Sequence, residues 1–234
     1  MTEEEWLSKA QPKDMLDFLQ GRSTQRKLRL FACACSRRVF HLLEDEQFWR
    51  IVDVIESLVD GQGQIPLAIE HERALRLFNR WRESASEKPG FLSLLEPAHQ
   101  AVVGVASESI FVALSTFRLV LRAESADYMR RRPVFPLIEF DELDRVLVKP
   151  HCEVIDDIFG NPFRPVTFDP RWRTSDVVGL ARAIYDDKAF ERMPILADAL
   201  MDAGCEDEQI IAHCRGDGPH VRGCWVVDLV LGKE

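Results

Sequence analysis

The chain has 234 residues, 46% hydrophobic and 29% charged. This is ordinary globular composition: it excludes a disordered tail or fibrous repeat, and the length is enough to bury a core without disulfide staples. Lys and Arg number 30 against 39 Asp and Glu, so the net charge is −9, which argues against a dedicated duplex-binding protein with a basic footprint.

In chain order, the opening MTEEEWLSKAQPKDML carries three glutamates and no apolar run, so no secretory leader is expected. Asp14 to Gln20 has apolar residues at helical spacing and stops at Gly21. Ser23 or Thr24 then caps a helix to about Leu43, with Leu28, Phe31, Ala32, Cys35, Val39, Leu42 and Leu43 on one face. Arg22, Arg26, Arg29 and Arg37 fall on the other side and form a candidate basic face. Phe48 to Val59 repeats the helical period and ends at Gly61-Gln62-Gly63; Pro66 opens a further helix to about Ser84. Lys88-Pro89-Gly90 breaks the chain before one long helix, Glu96 to Asp127, whose small residues Ala101, Gly104, Ala106 and Ala113 point to close packing. Its most apolar stretch, Ala101 to Leu121, is interrupted by Glu108 and Arg118, so no membrane span is expected.

Arg130-Arg131-Arg132-Pro133 and Pro136 cannot continue that helix. The reading is therefore a helical bundle over 1–129, a proline-containing linker over 130–140, and a smaller C-terminal helical module over 141–234. In that module, Asp141 to Phe159 is acidic and helical, ending at Gly160, and Asn161-Pro162-Phe163-Arg164-Pro165 is extended. Helices follow at Thr174 to Asp186, Phe190 to Ala203 and Asp207 to Cys214. After the glycine-rich stretch Arg215 to Gly223, Cys224 to Leu231 is short and Val-rich; helix is favoured over strand. The expected class is all-α.

Two stretches carry a resemblance. The start, Trp6-Leu7 with Met15-Leu16-Asp17-Phe18-Leu19 and Arg26-Lys27-Leu28-Arg29-Leu30-Phe31-Ala32-Cys33-Ala34-Cys35, resembles a large paralogous family of uncharacterised bacterial proteins. So does the tail, from Asn161-Pro162-Phe163-Arg164-Pro165-Val166 to His213-Cys214-Arg215-Gly216 and Gly223-Cys224-Trp225-Val226-Val227-Asp228. Within the tail, Ala183-Ile184-Tyr185-Asp186-Asp187 and Leu196-Ala197-Asp198-Ala199-Leu200 before Gly204 are similar to the repeat-companion domain, with Ala199 where that domain usually has Trp. The resemblance implies an accessory or interaction role and no particular reaction.

Cys205, His213, Cys214, His220 and Cys224 fall within twenty residues. Thiolate sulfur and imidazole nitrogen are the donors of tetrahedral zinc. Cys214, His220 and Cys224 supply three ligands, with His213 or Cys205 as a fourth, although the spacing matches no standard finger. The competing reading makes the cysteines small core residues. A third reading needs the backbone: Gly216, Gly218 and Gly223, flanked by Arg215 and Arg222, precede a helix N-terminus that would attract an anion. Cys224 at that terminus, and Cys33 one turn from Arg29 and Arg37, are candidate reactive thiols. His213-Cys214 lacks the Arg spacing of a cysteine phosphatase, and no nucleophile elbow or phosphate loop occurs.

With six cysteines, too few for a disulfide scaffold, the expectation is a cytoplasmic protein with reduced thiols. The leading functional reading is a non-enzymatic accessory or interaction module with another protein as partner. The alternatives are a zinc, anion or thiol site in the C-terminal loop, and nucleic-acid binding through the basic helix 22–38, which the overall charge does not favour.

Overall fold

Apolar residues recur every three or four positions through nearly every segment, and helices are the result. The computed structural model describes residues 1–8, 11–61, 66–85, 91–106, 112–131 and 144–233, and among these it contains twelve α-helices and no strand. The first eight are α1 (Glu3–Leu7), α2 (Pro12–Leu19), α3 (Gln25–Arg37), α4 (Glu46–Val59), α5 (Leu67–Ala85), α6 (Phe91–Val105), α7 (Val112–Arg130) and α8 (Lys149–Phe159). The last four are α9 (Ser175–Asp187), α10 (Met193–Asp202), α11 (Glu208–Arg215) and α12 (Trp225–Leu231). The final segment, whose length and Val content leave helix and strand open with helix favoured, is helical.

Helix α3 is the axis of the first core. Thr24 Oγ1 caps it by accepting from the Lys27 N–H, and α4, α6, α7 and α8 all pack on it. Every residue from Leu28 to Ser36 is buried, Arg29 and Cys33 included. The sequence suggests a helix wet on one face; the structure surrounds it. It also stops at Arg37, and the expected continuation to Leu43 is a 3-10 turn, Phe40–Leu42.

The long helix expected from Glu96 to Asp127 is two helices, α6 and α7, packed along each other. Both are too apolar for a single rod to hide its surface, and folding back lets each cover the other. Ala101, Ala106 and Ala113 are buried at this contact, and a Cβ on Gly104 would lie 3.3 Å from Thr116 Oγ1. The linker falls mostly outside the described residues, over 132–140. Beyond it, α8 buries Cys152, Val154, Ile155 and Ile158 in the first core, so the second core is built from α9 to α12 and the segments that join them.

The two cores meet at a charged seam. Arg26 forks onto Asp228 of α12 (Nη1–Oδ2 2.6 Å, Nη2–Oδ1 3.1 Å) and donates through Nε to Asp60 at 2.9 Å. Its Nη2 also donates to Tyr185 Oη at 2.8 Å, and the Tyr185 hydroxyl donates to Asp60. Lys188, closing α9 in the left-handed conformation at φ 55°, bridges to Asp53 and Glu56 of α4. A buried network of this kind costs desolvation, and removing one partner leaves a charge stranded.

Candidate metal centre

Asp157 stands in the last turn of α8, His213 in the last turn of α11, His220 in the following loop, and Cys224 at the N-cap of α12. The loop reaches α8 because Gly223 adopts φ 94° and presses on α3: a Cβ there would lie 2.9 Å from Leu30 Cδ1 and 3.7 Å from Ile158 Cγ2. Only glycine takes that conformation and that contact together.

One ligand atom from each of Asp157, His213, His220 and Cys224 lies within 4.8 Å of all the others. Asp157 Oδ1 contacts His220 Nδ1 at 2.7 Å and His213 Nε2 at 3.1 Å, while Oδ2 accepts from the Val221 N–H at 2.8 Å. His213 Nε2 is also 3.2 Å from Cys224 Sγ. A single ring nitrogen thus faces a carboxylate oxygen and a sulfur and has one proton at most to give. A cation between the three satisfies all of them. His220 Nε2, buried without a hydrogen-bond partner, is a further polar atom left over.

Burial opposes the Asp157 charge, but the bonds from His213 and His220 outweigh it and hold this carboxyl below the ordinary range. Burial, reinforced by the Asp157 charge, pushes the Cys224 thiol well above its usual value. A bound divalent ion reverses the latter, since metal ligation deprotonates a thiol. Two anions and two neutral imidazoles would neutralise a 2+ ion, and a mixed nitrogen, oxygen and sulfur donor set suits zinc rather than magnesium or calcium. Asp157, His213 and His220 line a cleft of about 440 Å³, rimmed by Glu153, Asp156 and Asp217, that gives an ion a way in; Cys224 is sealed beneath.

Of the five residues picked from sequence for a metal, His213, His220 and Cys224 come together. Cys214 does not join them, because neighbours on a helix point about 100° apart. With His213 turned to Asp157, Cys214 turns into the second core, where burial and the nearby Cys205 push its thiol up to about 12. Cys205 lies in the same core. Asp157 is not singled out as a candidate ligand by the sequence because it is 56 residues from His213 in the chain. Its only sequence signal is an acidic pair near the end of an apolar helix.

The other candidates are placed differently. Arg215 pairs with Asp198 at 2.8 Å, whereas Arg222 stacks on the Tyr185 ring and donates to the Tyr185 carbonyl. The two arginines diverge, and the anion pocket suggested around Gly216, Gly218 and Gly223 is not assembled. Cys33 and Cys224 are buried, and desolvation raises both thiols well above the ordinary value, opposite to the expected activation. The basic face is spent internally. Arg26 is in the seam, Arg29 donates to the Val105 carbonyl at 2.7 Å, and Arg37 pairs with Glu56 and Asp53. Arg22 alone of the four is exposed.

A second polar chain was not visible in the sequence. Cys35 Sγ lies 3.4 Å from His151 Nδ1, His151 Nε2 lies 2.8 Å from Glu124, and Arg38 closes on Glu124 at 2.7 Å. The order is that of a thiol nucleophile, a base and its orienting acid. Cys35 and His151 are fully buried, however, and burial raises the thiol; the chain ties α3, α7 and α8 together. No family model matches the protein, and no curated protein or solved structure matches it either.

Proposed function

We propose that the protein is a metal-clamped helical scaffold. A zinc ion held by Asp157, His213, His220 and Cys224 fastens the C-terminal helices to the N-terminal bundle, and the assembled body serves as a non-enzymatic accessory module for another protein. One observation carries the reading: four donor atoms of zinc-binding type, from both cores, lie within 4.8 Å of one another. Four protein ligands fill a tetrahedron, the pattern of structural rather than catalytic zinc. The accessory role rests on the resemblance of the tail to the repeat-companion domain.

Protein purified without chelator is expected to carry close to one equivalent of zinc by elemental analysis. Cobalt exchanged into the site should show the visible bands of a tetrahedral ion and a sulfur-to-cobalt charge-transfer band that Cys224→Ser abolishes. Less than about a tenth of an equivalent of zinc, together with no cobalt spectrum, refutes the proposal, because structural sites bind tightly.

A further inference from the structure

Away from the metal cluster, a second cleft of about 530 Å³ opens along the seam between the two cores. Its polar lining is one-sided. Arg22, Lys27 and Lys233 face it, and no acid among the described residues does, in a protein whose net charge is −9. Arg22 donates to the Phe18 carbonyl at 2.6 Å and Lys27 to the Ile158 carbonyl at 2.9 Å. These are bonds to neutral groups, and Lys27 feels the Asp228 carboxylate at longer range. Asp228, the acid closest in role, is already forked by Arg26, and Lys233 has a longer contact with Asp60 at 3.4 Å. Ser23 Oγ, also in the lining, is buried without a hydrogen-bond partner. Thr24, the cap of α3, also lines the cleft, and the remaining wall is apolar, chiefly Phe18, Phe159 and Leu229. The volume lies within the roughly 300–1,000 Å³ of small-molecule sites, which combine apolar walls with a few convergent polar groups.

We propose that this cleft binds a small organic anion: a carboxylate or phosphate head set among Arg22, Lys27 and Lys233, joined to an apolar body lying on Phe18, Phe159 and Leu229. Charge complementarity selects the head, and the walls select the body. An anion here offsets the desolvation of Lys27, whose ammonium is held below the usual lysine value by burial. The ligand touches α2 and α3 on one side and α12 with Lys233 on the other, so it would bridge the two cores independently of the metal.

Isothermal titration of the intact protein tests this, with decanoate and decyl phosphate as probes, decan-1-ol as the neutral control and octaglutamate as an acidic peptide. At least one amphiphile is expected to bind with one-to-one stoichiometry and about tenfold or more tighter than the alcohol, a gap of ~1.4 kcal/mol. Which of the two binds better separates a carboxylate from a phosphate ligand. Arg22→Glu should weaken that binding about tenfold or more. Arg22 is exposed and its bond is to a backbone carbonyl, so this variant is expected to keep the helical circular dichroism of the parent. Lys27→Met should reduce binding further. Equal binding of alcohol and anion, no effect of Arg22→Glu in a folded protein, or no saturable heat from either amphiphile below about 1 mM overturns the proposal. So does binding of octaglutamate alone, which would place an acidic macromolecule at the seam.

Discussion

Asp157→Asn is the sharpest perturbation of the metal cluster, because it keeps the shape of the side chain and removes its charge. The carboxylate takes contacts at 2.7 Å from His220, 3.1 Å from His213 and 2.8 Å from the Val221 N–H. Hydrogen bonds to a buried charge contribute about 1.5–3 kcal/mol each, and the amide retains one acceptor. The metal-free variant should therefore lose about 2–3 kcal/mol. If Asp157 is a zinc ligand, loss of its charge should also weaken zinc binding. If affinity falls tenfold, the stabilisation from zinc buffered at about 1,000 times the parent dissociation constant drops from ~4.1 to ~2.7 kcal/mol. Urea unfolding of parent and variant, each with a chelator and with buffered zinc, separates the two effects. A variant that loses stability without metal but keeps the full zinc increment, to within about 0.5 kcal/mol, would show that Asp157 is a structural acceptor and no ligand, and the reasoning would fail.

Asp157 and Asp60 both have carboxyls held below the ordinary 3.8 by hydrogen bonds that outweigh burial. Their contribution is complete above the unfolded-state value and lost as pH falls through the folded-state values, so the urea midpoint of the metal-free protein should decline as pH drops below about 4; a flat profile there contradicts the assigned bonds. Gly223→Ala places a Cβ 2.9 Å from Leu30 Cδ1 at φ 94°, and a loss of about 2 kcal/mol or more is expected in denaturant unfolding, with weakened zinc retention. All six cysteines are buried, so iodoacetamide should label them at the rate of global or sub-global opening. Prompt labelling of Cys33 in native protein would mean that α3 is not enclosed as described.

The helical class, most helix positions and three of the four residues of the candidate metal cluster were legible in the sequence because each depends on local spacing and residue type. What was not legible depends on partners far along the chain. Arg29 reads as surface charge until the Val105 carbonyl, 76 residues on, is placed against it. Cys33 reads as an activated thiol if Arg29 and Arg37 are counted and burial is not. His151 with Cys152 reads as a helix-start pair, or as part of a metal site if brought near His220, until α3 and α7 bring Cys35 and Glu124 to the His151 nitrogens. Helix α8 follows the prolines and so reads as part of the second half, yet its apolar face fits the first core. For Arg29 and Cys33 the spacing alone shows a surface pattern, and burial is decided by elements far along the chain.

The bond from Arg26 to Asp228 spans 202 residues, and this sets an order of events during synthesis. At about 5–20 residues per second, roughly 10–40 s separate the two residues at the ribosome. Until α9 and α12 emerge, Arg26 has Asp60, 34 residues on, as its seam partner, and the face on which those helices dock is expected to stay wet. Docking of the seam is therefore expected to come late in assembly, since its contacts are of high sequence separation. A chaperone or protease that recognises unfinished copies of this chain would find its target there.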